Sequence, residues 1–388
     1  MKELSLLHQY VLRPIGALFL NASYSLPGSL SDDDAKKVYR MARQNDLAPI
    51  TDYILETQGI LTPESPGFPA FQKARRLSVF RTEGQQYLLR TAGKILSSRK
   101  IPYVPLKGAV IRSLYPEPWM RTSCDVDVLV KPEDFQRAVI ALQEEAGVTE
   151  TSKTEHDVSL GFSNGEKVEL HFTLIEESKI MRAAKTLKDV WPVVEFGTED
   201  PYEGTLPDDV FYYYHIAHLA KHFEIDGCGI RPVLDAWLLN RLPAFDKAKR
   251  DALLERGGLK RFADCVEKLG RYWFEGEEAD ETVLELERFI LAGRSEGSKH
   301  NEAMAGAGLE KSRLKQTWKR AFLPYRTLRL QYPALEGHPL RTPLYQVRRL
   351  NDAWRKKRGT VKQETGIIWG TKSTERKQIR KLFDDLGL

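Results

Sequence analysis

Cysteine is scarce in this chain: Cys124, Cys228 and Cys265 are the only three among 388 residues, widely spaced and without a CxxC pair. That spacing suggests neither a disulfide framework nor a zinc ribbon, and it fits a reducing compartment. Long apolar runs are also missing. The opening stretch MKELSLLHQYVLRPIGALFLNASYSL is interrupted by His8, Gln9, Arg13 and Asn21, so it holds no uninterrupted segment of the length a signal or a membrane span needs. A cytoplasmic location and no membrane partner are therefore expected. Charge of one sign is lacking as well, with 59 Lys and Arg against 54 Asp and Glu, a net charge of +5. So small a bias over such a length points to no class of partner. Internal repeats and low-complexity tracts are absent. With 41% hydrophobic and 29% charged residues the chain can bury a core without being greasy or disordered. At about 150 residues per folding unit its length predicts two or three units.

What is present divides the chain into four stretches. Residues 1–98 carry helical spacing, as in VYRMARQNDLAPITDYILETQ and FRTEGQQYLLRTAGKILSSR, around the Pro/Gly-rich loop LTPESPGFPAF. Residues 99–206 change texture. IPYVPLKG reads as a short extended segment entering a helix, DVDVLVK as a strand, and HDVSLGFSNGEKVELHFTL as two strands joined at Asn164-Gly165, a pair suited to a tight hairpin. This is an α+β unit. Residues 207–340 return to helical spacing in DDVFYYYHIAHLAKHF, RPVLDAWLLNRL and EADETVLELERFILAG, while GRSEGSKHNEAMAGAG breaks the period and reads as a loop. Residues 341–388 form a basic tail with 13 basic and 5 acidic residues.

The sharpest chemical signal is LKGAVIRSLYPEPWMRTSCDVDVLV. Asp125 and Asp127, two apart in a strand, leave one face, so both carboxylates reach one hard cation. Glu169 in KVELHF supplies a third acid from a second strand. Converging carboxylates hold Mg²⁺, or Mn²⁺ in its place, and such ions neutralise charge during in-line displacement at phosphorus. Lys107-Gly108 ends an extended segment and opens a helix, where glycine lets backbone N–H groups approach phosphate and lysine adds a point charge. Arg121 stands four residues before Asp125, placed to clamp a phosphate or fix a carboxylate. An Asp-x-Asp pair alone is also what a half-wet strand shows. The Lys-Gly turn upstream and the Glu-Leu-His strand downstream favour the site.

The same residues resemble the polymerase-beta-like nucleotidyltransferase superfamily, and within it an uncharacterised bacterial branch. The likeness is carried by Lys107, Gly108, Arg121, Asp125, Asp127, Leu129, Val130, Glu169, Leu170 and His171, with weaker likeness in HLAKHF, GIRPVLDAWLL, LPYRTLRLQYPAL and PLYQVRRL. It spans about residues 35–355 and implies a small mixed-sheet nucleotidyltransferase core between helical flanks, with residues 207–340 closing the cleft. It also implies metal binding by Asp125 and Asp127, with Glu169 as the third acid.

Other residues admit more than one reading. His215, His218 and His222 share a helical face, which suits zinc, a nucleotide cleft lined also by Lys221, or packing among tyrosines. Arg231 and Asp235, one turn apart, suit an ion pair bridging to neighbouring elements. His171 shares a strand face with Glu169 and is placed to orient a carboxylate or a phosphate, while His156 and Asp157 border the same region. Trp354 and Trp369 in the basic tail are suited to stacking on bases. The expected activity is Mg²⁺-dependent transfer of a nucleoside monophosphate from a nucleoside triphosphate, ATP by default, to an acceptor the sequence does not name. Two other readings stay open: a catalytically silent nucleotide-binding or protein-interaction module, and a nucleic-acid-binding protein led by its tail.

Overall fold

The computed structural model describes residues 2–153, 157–175, 181–225, 227–243, 245–293, 299–309, 312–356 and 358–388. Its main sheet consists of β1 (Tyr103–Pro105), β2 (Val126–Val130), β3 (Val148–Lys153), β4 (Asp157–Phe162) and β5 (Lys167–His171), in the order β1-β2-β5-β4-β3, and Glu195–Phe196 pairs with Gly204–Thr205 in a separate two-stranded ribbon. β2 and β5 run parallel and the other neighbours are antiparallel. The fold is α+β, a small mixed sheet with helical flanks. β3 is not foreseen in the sequence, because VTETSK has a single aliphatic residue and its strand lies at a polar sheet edge.

Period-two alternation gives this sheet two different faces. Val126, Val128 and Val130, Val158 and Leu160, and Val168 and Leu170 all join one buried cluster with Ala138 and Leu142 of the helix Phe135–Glu145 and with Leu88, Ala92 and Leu96 of the helix Phe68–Ser98. Each such side chain contributes about 1.5–3 kcal/mol by leaving water. The intervening residues carry Asp127 and Leu129, Ser159, and Glu169 and His171 to the opposite face. Register sets Asp127 beside Glu169, and His171 beside both Leu129 and Asp157.

The β4–β5 connection differs in detail from a two-residue hairpin. Gly165 N–H donates to the Phe162 carbonyl at 2.9 Å and Phe162 N–H donates to the Glu166 carbonyl at 3.0 Å. Only Gly165 of the Asn164-Gly165 pair has a positive φ, +83°. This is a three-residue loop with a glycine bulge. The Asn164 side chain accepts from Glu166 N–H at 3.1 Å, which secures the turn.

Helices cover the acid-bearing face. Asp208–Ile225 and Ile230–Leu239 belong to a large core that also takes in Leu106, Ile111 and Leu129 from the sheet side and Val11, Ile15 and Ile50 from the N-terminal helices. The final helix, Ser373–Leu386, adds Leu382, Phe383 and Leu386 to that same core, with the Phe383 ring 5.2 Å from that of Phe223. The loop expected in GRSEGSKHNEAMAGAG is contradicted over Lys299–Leu309, which is helical. Its Ala303, Ala305 and Ala307 are buried, so the small residues serve close packing rather than chain freedom. Residues 294–298 of that stretch lie outside the described residues. No helix among the described residues is long and apolar enough to cross a membrane.

One buried ion pair ties the helical wall to the sheet. The Arg121 guanidinium donates to Asp235 from Nη2 at 2.8 Å and from Nε at 3.1 and 3.2 Å, and Tyr115 Oη donates to the same carboxylate at 2.8 Å. Arg121 and Asp235 are 6% and 1% exposed at the side chain, so neither charge has water to fall back on. Burial opposes the Asp235 charge, yet the Arg121 guanidinium holds its carboxyl below the usual range. We expect Asp235→Ala to cost about 3–5 kcal/mol in urea denaturation, because Arg121 is left charged and unpaired. The double replacement Arg121→Met/Asp235→Leu should recover most of that loss; equal loss in both variants would contradict the account.

Candidate functional site

The site begins at the turn after β1. Lys107 adopts φ +43° and ψ −115°, a conformation that costs a non-glycine residue about 1–3 kcal/mol. It is held there by Leu106 N–H donating to the Asp127 carbonyl at 3.0 Å and by Ile111 N–H donating to the Lys107 carbonyl at 2.9 Å. The turn sets the Lys107 ammonium 2.7 Å from Asp127 Oδ1. His171 Nε2 lies 2.9 Å from the same oxygen. An ionised carboxylate only accepts, so this contact assigns the proton to Nε2 and makes His171 the donor.

Asp127 is 2% exposed. Burial alone would drive its carboxyl toward the neutral form, but Lys107 and His171 outweigh it and hold Asp127 ionised, well below the usual carboxylate range. Reciprocally, burial disfavours the Lys107 ammonium and the Asp127 charge more than restores it. The two other acids lack such compensation. Burial and then the Asp127 charge push Asp125 up. Burial, followed by Asp125 and Asp127, pushes Glu169 up to about 7. The face thus carries more negative charge than its own cations neutralise.

Asp127, Glu169 and His171 offer ligand atoms that all lie within 4.8 Å of one another, the one such metal-capable group among the described residues. Asp125 lines the same cleft but does not belong to that trio. The reason is local: β2 starts at Val126, so Asp125 precedes the strand, and Ser123 Oγ donates to its backbone oxygen at 3.0 Å and to Oδ1 at 3.3 Å. Carboxylate oxygens with unneutralised charge suit a hard divalent cation, so the residues present fit Mg²⁺ or Mn²⁺.

The cleft has a volume of about 410 Å³, and all nine residues singled out for binding or catalysis line it: Lys107, Gly108, Arg121, Asp125, Asp127, Glu169, His171, Lys221 and His222. Gly108 and Arg121 meet each other there. A Cβ on Gly108 would stand 2.7 Å from Arg121 Nη1 and 3.0 Å from Ser123 Oγ, so the space glycine opens is filled by Arg121. Of the two uses expected for Arg121, its position matches fixing a carboxylate, that of Asp235. Arg231 and Asp235 do not pair with each other. Arg231 reaches Asp46 Oδ2 at 3.0 Å and donates to the Thr122 carbonyl at 3.0 Å, because the two side chains diverge to different loops. Of the three helix histidines, His215 Nε2 is 2.9 Å from the Pro232 carbonyl, while His218 and His222 approach each other at 3.3 Å. Burial, then Lys107 and His222, keeps His218 neutral to well below its ordinary range. Asp157 opens β4 and lines the cleft; His156 lies outside the described residues.

Several residues escape sequence reasoning. Gln85, in the middle of Phe68–Ser98, donates to the Ser123 carbonyl at 3.0 Å and accepts from Arg112 Nη2 at 2.8 Å, holding the loop that delivers Asp125. Thr122 Oγ1 donates to the Asp46 carbonyl at 3.2 Å from the other side. Tyr214 is buried beside the acids, and its hydroxyl has no hydrogen-bond partner among the described residues. Only its helical spacing to His218 and Lys221 could have flagged it.

The shift at Glu169 has a measurable consequence. Below its usual 4.5 both folded and unfolded chains keep the proton, and as pH rises through about 7 the folded state must ionise a carboxyl that is 29% exposed, so stability is lost across that window. Glu169→Gln should therefore raise the Tm of metal-free protein more at pH 8 than at pH 5. Equal gains at both pH values would show an ordinary Glu169.

A protein-family model described as an uncharacterised nucleotidyltransferase matches residues 31–275. Searches of curated proteins and of solved structures returned no match. The matched span runs from Ser31, which caps the helix Asp32–Gln44, to Glu275, and it contains every cleft residue named above. It ends before LPYRTLRLQYPAL and PLYQVRRL, which the sequence likeness had included. With the greater part of its length matched, the chain belongs to the uncharacterised nucleotidyltransferase family.

Proposed function

We propose that this protein transfers a nucleoside monophosphate from a nucleoside triphosphate, with ATP the default donor, to the hydroxyl or phosphate of an acceptor, releasing pyrophosphate. The observation that carries this reading is the pairing of Asp127 with Glu169 across β2 and β5 in a cleft whose acids exceed its cations. Asp125, Asp127 and Glu169 would hold Mg²⁺ or Mn²⁺. A bound divalent ion supplies charge neutralisation at the phosphates and lowers the acceptor's pKa.

The chain's own residues do the rest. His171, 3% exposed, orients the Asp127 carboxylate through its Nε2–H. Lys107 keeps Asp127 ionised and brings positive charge beside the departing pyrophosphate. The Gly108 amide, Lys221 and His222 offer further phosphate contacts from the two walls of the cleft. In the displacement the acceptor oxygen forms a bond to the α-phosphorus as the bond to the bridging β-oxygen breaks. The electron pair leaves with pyrophosphate, and the hydroxyl proton passes to Glu169. Arg121 is a positioning residue here, through Asp235.

Incubation with each labelled nucleoside triphosphate and with small-molecule, protein and RNA acceptors should give Mg²⁺-dependent pyrophosphate release. Asp127→Asn should lower turnover by about 10³-fold or more while circular dichroism stays native. Full turnover in that variant would refute the assignment. Tight MgATP binding with no pyrophosphate release under any acceptor would instead identify a silent module.

A further inference from the structure

Beside the acid-lined cleft lies a second cavity of about 560 Å³, and the two share Asp46, Ser123, Cys124 and Arg231 as common wall. Their chemistry is opposite. The second cavity is edged by Arg43, Lys73 and Arg81 and lined by the buried Ala48 and Pro49, with the exposed Leu77 at its margin, and its one carboxylate, Asp46, is engaged by Arg231. Among the described residues no carboxylate lies within 4.0 Å of the charged nitrogens of Arg43, Lys73 or Arg81. All three are exposed, so they are solvated cations converging on a hollow rather than partners in packing.

We infer that this annex binds the acceptor, and that the acceptor is a small molecule bearing a phosphate group. The inference rests on the nucleotidyl-transfer reading above, because it takes the acid-lined cleft as the place of the donor. An in-line displacement brings the attacking oxygen to phosphorus from the side opposite the leaving group, so donor and acceptor need adjoining compartments of their own. The annex supplies the second compartment. Two guanidinium groups and one ammonium favour a phosphate dianion over a neutral sugar or an amine. The apolar lining leaves room for a short carbon skeleton, and the shared wall at Ser123 and Cys124 is the border across which its free hydroxyl would face Asp127 and Glu169.

The cysteines provide a readout that needs no turnover. Cys124 is exposed on the shared wall, whereas Cys228 and Cys265 are buried. Iodoacetamide should therefore label Cys124 selectively in the full-length protein, and inorganic phosphate at twice its dissociation constant should slow labelling about threefold. In the triple variant Arg43→Gln/Lys73→Gln/Arg81→Gln phosphate should give no protection. The comparison is the ratio with and without phosphate, since burial and then Asp125 push the Cys124 thiol up while Arg81 offsets part of that rise, so its removal alone changes the labelling rate. MgATP affinity, measured by calorimetry on both proteins, should not differ. Absence of phosphate protection in the natural sequence would overturn the proposal. So would a parallel loss of MgATP affinity in the triple variant, which would assign the annex to the donor's phosphates. Failure of MgATP to bind either protein while phosphate still protects Cys124 would instead strike the nucleotidyl-transfer reading and leave a phosphate site standing.

Discussion

Asp127 is a buried carboxylate on a strand, and it stays charged because Lys107 and His171 meet the same oxygen. Much of the surrounding structure follows from keeping that charge. Lys107 reaches it only from a left-handed backbone conformation, which the strand pairing of Leu106 and the short helix at Gly108 hold in place. His171 reaches it only because β5 lies parallel to β2 in a register that sets the two side chains on one face. Remove either neighbour and burial meets less opposition, which draws the carboxyl back toward the neutral acid, a poorer ligand for a cation.

The same constraint divides the sheet. One face is filled with valine and leucine and stabilises the core through burial, while the other collects Asp127, Asp157, Glu169 and His171 under a helical lid. A single residue's slip between β2 and β5 would exchange the two faces, so the apolar cluster specifies the register on which the acid constellation depends. Stability and chemistry are thus properties of alternate residues in the same strands.

The lid is held by polar contacts rather than by apolar packing alone. Arg121 and Arg231 leave the loop and the helix in opposite directions, one to Asp235 and one to Asp46 and Thr122, and together they lace the helix Ile230–Leu239 to the loop before β2. Gly108 belongs to this lacing because only a residue without Cβ leaves room for the Arg121 guanidinium. The family match from residue 31 to 275 covers these contacting elements together, sheet, N-terminal helices and lid. The core itself reaches beyond that span to Phe383.

By itself the sequence determined the strands VDVLV and KVELH, the helices on either side, and the acids and lysine that meet in one cleft, because alternation and local turn chemistry are short-range properties. Tertiary structure decided what those residues touch. Arg121, four positions before Asp125, turned to an aspartate 114 positions away. Asp125 fell short of the metal-capable trio because β2 began one residue later. The alanine- and glycine-rich stretch Lys299–Leu309 became a packed helix, since small residues read equally as loop or as close contact until a neighbour is known. Partner choice among charged groups depends on burial and on distances between segments remote in the chain, and neither is encoded in spacing.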